Sequence, residues 1–313
     1  MSSKNTTSPL HIEPYDLHLF GQGGHWDLYR ILGAHPHAEK KRKGYRFAVW
    51  APNAQAVCVA GGFNDWAWDT HPLFPVGSSG IWAGFIPGIT RDISYRYAVT
   101  DGNGQTRLKT DPMAFASEMR PGTAGVTAEL DSYRWNDTDW MAGRRATGLP
   151  LDKPLSFYEV HAGSWRRDGA GFLSYGEMAD RLIPYVKDLG FTHIEFMPMA
   201  EHPLDESWGY QPSHYFAPTS RFGSPDELRQ LIDRCHQEGI GVVFDWVPGH
   251  FPKDDWSLGR FDGTALYEHE DPRLGEHPDW GTYIFNFGRH EVKNFLLSNA
   301  LYWLKEFHID GLR

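Results

Sequence analysis

The chain has 313 residues, enough for two domains or one large one. Its composition, 41% hydrophobic and 22% charged, is that of a soluble globular protein. A formal net charge of -10 argues against a nucleic-acid partner, and no apolar run reaches the length of a membrane span, so both classes drop out.

Residues 1–20 have no apolar segment of the signal-peptide kind and read as a loose polar tail. Without an export signal, Cys58 in an apolar strand and Cys235 on an apolar helix face read as buried free thiols of a cytoplasmic protein. The basic run Lys40-Lys41-Arg42-Lys43 reads as a solvated turn. Across 21–135 the short runs YRFAVWAP, AVCVAGGF, GIWAGFIPG and ISYRYAVTD alternate with turn signals such as Asn64-Asp65 and Asp101-Gly102-Asn103-Gly104. That spacing predicts an antiparallel β-sandwich. Residues 136–154, ending in the stretch from Pro150 to Pro154, read as a linker.

From 155 onward strands and helices alternate. LSFYEVHAGSW opens with a strand. Ser174 and Glu177 form a capping box for a helix that Gly190 ends and Pro184 should kink. THIEFMPM is the next strand. Ser224, Pro225 and Glu227 start a second helix, whose stripe Leu228, Leu231, Ile232, Cys235 has the offsets of one helix face, and Gly239 closes it. GVVFDW is a third strand, a third helix runs from about Arg289 to Phe307, and HIDGLR opens a fourth strand. This repeat demands a parallel sheet, either doubly wound or a (β/α)₈ barrel. Long connections follow the second and third strands, and in a barrel such loops form the active-site rim.

Asp245 ends the strand VVF, with His250 five residues on; a turn-capping Asp and a surface His are the plain alternative. Tyr210, between Gly209 and Gln211, could lay its ring or hydroxyl on a ligand, or could pack an ordered loop. His202, His214 and His250 lack metal-ligand spacing. No dinucleotide fingerprint, phosphate loop or nucleophile elbow is present. In a strand Ile309, Gly311 and Arg313 share one face, and a glycine followed by an arginine there favours a polar partner over packing. Aromatics make up 15%, with 13 Trp, a content that suits sugar rings but also cores and protein partners.

Together DWVPGHFP, SWGYQP, SFYEVHAGSW, FDGTALYEHEDPR and FHIDGLR resemble the glycogen (1,4-α-glucan) branching enzymes of the α-amylase superfamily of glycoside hydrolases. RILGAHP, FAVWAPNAQAVCVAGGFNDW and RLKTDPMAF are similar to that family's immunoglobulin-like, glycan-binding-module domain. The resemblance implies a multidomain β plus α/β protein: an immunoglobulin-like sandwich over 21–135, then over 155–313 the first half of a (β/α)₈ TIM barrel, cut at strand 4. A complete barrel takes ~250 residues. It implies glycogen or another α-1,4-glucan as donor, retaining transfer to a 6-hydroxyl, no cofactor, no metal, and a monomer at full length. Tyr210 matches the family's sugar-stacking residue, Asp245 and His250 its hydroxyl-binding pair, and Arg313 the arginine that orients the nucleophile. No catalytic carboxylate is expected within the chain, because the nucleophile would follow Arg313 by two residues. The chain is therefore expected to be an N-terminal fragment, inactive alone. Two other readings are a non-catalytic glucan-binding protein acting through Trp66, Trp68 and Trp82, and a debranching or trehalose-forming relative; DWVPGHFP followed by YEHEDPR stands against the latter.

Overall fold

The computed structural model describes residues 12–148 and 152–313. Part of the expected polar tail (1–11) and part of the expected linker (149–151) lie outside them. The remainder of both is folded. Helix α1 (Pro14–Gly21) starts at Glu13, whose backbone N–H donates to Asp16 at 3.0 Å. It buries Phe20 edge-on against Trp50, ring centroids 6.0 Å apart. The polar sequence around Phe20 concealed this anchor.

Two antiparallel sheets follow. The first comprises β1 (Gly33–Glu39), β2 (Arg42–Trp50), β4 (Phe74–Pro75) and β5 (Ile81–Pro87), in the order β1-β2-β5-β4. The second comprises β3 (Ala56–Gly61), β6 (Ser94–Thr100), β7 (Thr106–Lys109), β8 (Ala116–Ser117) and β9 (Gly125–Val126). It is ordered β3-β6-β9-β8, with β7 also on β6. Glu39 pairs with Arg42, so Lys40 and Lys41 form the two-residue hairpin turn, at φ +45° and +70°. Positive φ at both residues matches the twist of the flanking strands. The sheets meet through Phe47 and Tyr95, edge to face at 5.0 Å. Asp111, buried behind them, accepts from the hydroxyls of Tyr95 (2.6 Å) and Tyr97 (3.1 Å). Both thiols are free; Cys235 is buried and Cys58 half-buried.

Helix α2 (Thr138–Thr147) occupies the expected linker. Then come β10 (Phe157–Val160), α3 (Tyr175–Asp188), β11 (His193–Phe196), α4 (Pro225–Gln237), β12 (Gly241–Phe244), α5 (His290–Glu306) and β13 (Gly311–Leu312). The four strands form one parallel sheet in chain order, open at β10 and β13 among the described residues. Ser174 and Ser224 each accept from the backbone N–H three residues on, and each capping box is closed. Pro184 lies inside α3, which continues beyond it to Asp188.

Sandwich and sheet share one core. The buried Lys109 donates to the carbonyls of Asp255 (2.5 Å) and Gly259 (2.7 Å), and Thr110 Oγ1 bonds His214 Nε2 at 2.7 Å. No helix among the described residues is long and apolar enough to cross a membrane.

On the opposite edge, Asp310 organises the start of β13. Its Oδ2 accepts from Val242 N (2.8 Å) and lies 3.1 Å from His236 Nε2. Its Oδ1 accepts from Trp140 Nε1 (2.8 Å) and Arg144 Nη1 (3.0 Å), which fastens α2 to the sheet. These donors, His236 foremost, outweigh burial and hold the Asp310 carboxyl below its ordinary range. Asp310→Ala leaves His236 Nε2 and the Trp140 indole N–H without their acceptor, at an expected cost of about 3–5 kcal/mol in urea unfolding. A depressed carboxyl contributes stability above its unfolded pKa and loses it as pH falls through its folded one. Stability of the wild type is therefore expected to drop on acidification below about pH 4, and Asp310→Asn to flatten that limb.

Candidate functional site

Parallel strands carry side chains from their C-terminal ends to a common rim. Asp245 follows β12 directly, Arg313 follows β13, and Glu195 stands near the end of β11. The register aligns Phe196 with Phe244 and Phe244 with Leu312. Arg313 N donates to Phe244 O at 3.0 Å and Trp246 N to Arg313 O at 3.1 Å, so pairing continues past the last assigned strand residue.

The loop after β11 brings Tyr210 to this rim. A hairpin between Ala200–Glu201 and His214–Pro218 folds that loop back. Gly209 has φ +90°, and a Cβ there would lie 2.5 Å from Pro198 O, so only glycine fits beneath Tyr210. Tyr210 Oη donates to Asp245 Oδ2 in a short hydrogen bond. Arg313 Nη1 donates to the same oxygen at 2.5 Å and lies 3.4 Å from Tyr210 Oη, while its Nε is 3.5 Å from Glu195 Oε1. His250 Nε2 donates to Tyr210 O at 2.8 Å. The expected pair Asp245 and His250 are thus joined through Tyr210: the acid grips its hydroxyl and the imidazole its backbone.

The four residues singled out in the sequence come together. The Arg313 side chain is 57% exposed, with Asp245 as its ion-pair partner. Glu195, which the sequence reading absorbed into an apolar strand, faces Arg313. Its signal was the alternation in HIEF, where Ile194 and Phe196 are buried and His193 and Glu195 are not.

The electrostatics follow from the contacts. Burial, then the hydrogen bond to Asp245, pushes Tyr210 up to about 12. The charge of Asp245 raises Arg313 further. Burial raises Glu195 and lowers His250. Asp245, at 6% side-chain exposure, takes two donors on Oδ2, and among the described residues Oδ1 is left to accept from a ligand hydroxyl.

Comparison with known proteins fits this geometry. Residues 31–114 match the carbohydrate-binding module 48 family (isoamylase N-terminal domain), and residues 166–262 the α-amylase catalytic domain. The chain is 66% identical over 310 residues to the 1,4-α-glucan branching enzyme GlgB of Oleidesulfovibrio alaskensis, covering 98% of this chain and 49% of that relative. It is 55% identical over 309 residues to GlgB of Methylococcus capsulatus, covering 98% and 42%. Over nearly its whole length the chain is similar to 1,4-α-glucan branching enzymes. It spans about half the length of the curated relatives it matches. Among solved structures, the pullulanase of Bacillus acidopullulyticus superposes with a TM-score of 0.71 at 25% identity, covering 90% of this chain and 37% of that one. The branching-enzyme match and the two domain matches together account for the sandwich and the half-sheet behind the site.

The Tyr210–Asp245 bond sets a measurable quantity. In ¹³C-tyrosine NMR, the resonance lost in Tyr210→Phe is expected to titrate towards 12 in the wild type. Asp245→Asn should return it towards the ordinary phenol value of about 10.

Proposed function

We propose that this chain supplies the donor-glucan side of an α-1,4-glucan branching reaction: cleavage of an α-1,4 bond, a covalent glycosyl-enzyme, and transfer of the chain to a 6-hydroxyl. The observation that supports this reading is the convergence of Tyr210, Asp245, His250 and Arg313 at the C-terminal ends of consecutive parallel strands. In the reading, the Tyr210 ring stacks on the sugar at the scissile bond, Asp245 and His250 bind its hydroxyls, and Arg313 orients the nucleophile.

Retaining transfer needs a carboxylate nucleophile and a carboxylic acid roughly 5–5.5 Å apart. Asp245 does not suit the nucleophile's part, since Tyr210 and Arg313 both occupy its Oδ2. Glu195 is raised by burial and is paired with Arg313 Nε at 3.5 Å. The residues of this chain bind and orient; the bond-making carboxylates are assigned elsewhere in the full enzyme.

A second reading places glucan on the sandwich alone. Trp68 is half-exposed there, whereas Trp82 is tied down by a bond from its Nε1 to Ala51 O and Trp66 packs under Arg96.

Calorimetry with maltoheptaose separates the two readings. The 313-residue chain is expected to bind, Asp245→Asn to weaken binding about tenfold, and Trp68→Ala to leave it unchanged; the reverse pattern would favour the sandwich. Incubated with amylose, the chain alone is expected to create no α-1,6 branches. Branch formation by these residues would overturn the division of labour.

A further inference from the structure

Beside the site just described lies a cavity of about 250 Å³ between the loops that follow β10 and β11. His161, Ser164, Phe172, Trp208 and Arg221 line it, and Pro198 and Met199 form a wall shared with the depression under Asp245. Trp208 and Tyr210 are two residues apart on one loop, so the cavity adjoins the Tyr210 site.

We infer that this cavity is a further saccharide subsite, with Trp208 as its stacking platform, an inference that rests on the glucan reading above. Trp208 is 57% exposed and sits at φ +54°. A bulky residue is seldom held in the left-handed region, and such strain collects at ligand-binding positions. The indole lies beside the imidazole of His161, ring centroids 6.2 Å apart. His161 itself is fixed by a 2.8 Å bond between Nδ1 and Ser164 Oγ.

Beneath them Arg221 is 3% exposed, with Nη1 on Glu201 and Nε on Asp205 at 2.9 Å. Its Nη2 pairs with Asp205 Oδ1 at 2.9 Å, so the guanidinium braces this side of the cavity through two carboxylates. A flat apolar ring, an imidazole and the carboxylates of Asp205 and Glu206 match a pyranose, which offers one apolar face and a rim of hydroxyls. Asp205 and Glu206 also line the cavity, and their charge disfavours a phosphate.

The test is calorimetry of the 313-residue chain with maltoheptaose, using Trp208→Gly, which relieves the backbone, and Trp208→Phe, which keeps a stacking face. Trp208→Gly is expected to lose about tenfold in affinity, and Trp208→Phe to stay near the wild type, with unchanged melting temperatures. Independently, the indole N–H resonance assigned by its absence in Trp208→Phe should shift on adding maltoheptaose to the wild type. If Trp208→Gly binds like the wild type and that resonance stays still, while Asp245→Asn loses affinity, the subsite is overturned and the glucan reading stands. If the wild type fails to bind maltoheptaose, the glucan reading itself falls, and the subsite with it.

Discussion

The register of β13 on β12 is the constraint on which the site depends, and one carboxylate fixes it. Two strand residues cannot define their own register. Asp310 does so by donating its N–H to Val242 O at 2.7 Å and accepting Val242 N–H on its side chain at 2.8 Å. A slip of one residue would turn Arg313 to the other face of the sheet. A slip of two would move it ~7 Å along the strand, out of reach of Asp245. The anchoring groups come from three places in the chain: Trp140 and Arg144 on α2, His236 on α4, and Asp137, which bonds both His236 (2.9 Å) and His308 (2.8 Å). The segment between the domains is therefore a structural member of the sheet, which sets the arginine at the far end.

The sandwich acts on the site from the other side. Glu201, buried at the base of the Tyr210 loop, accepts from Ser117 of β8 at 3.1 Å as well as from Ser220 and Arg221. Thr110 holds His214 at the loop's return, and Lys109 holds the carbonyls of 255 and 259 in the next loop. Both long loops are thus pinned by residues of the β-domain. Loops braced in this way can present Tyr210 and His250 in fixed positions before any ligand arrives, which lowers the ordering cost of binding.

The alternation of strand and helix, both serine capping boxes and the Lys40-Lys41 turn were legible because each is a local signal with a local cause. Asp245, Tyr210, His250 and Arg313 stood out because polar residues at strand ends and in long aromatic loops conflict with simple packing. What escaped was non-local. Helix α2 has few apolar residues and no strong stripe, and Trp140 and Arg144 give it a place only through Asp310, some 170 residues away in sequence. Glu195 was hidden because a four-residue strand reads as apolar when two of its residues are Ile and Phe.

The balance of charge at the rim bears on what it can hold. Arg313 is one cation facing two carboxylates, Asp245 and Glu195, and Glu195 feels Glu159 and Asp245 as well. A phosphate or carboxylate ligand entering here would meet net negative charge with its one nearby guanidinium already engaged, and the desolvation cost of that anion would go uncompensated. A neutral polyol meets no such barrier. Its hydroxyls can donate to Asp245, and its apolar ring face can rest on the tyrosine ring that the same side chain holds in place. The carboxylates that organise the protein side thus also disfavour anionic ligands.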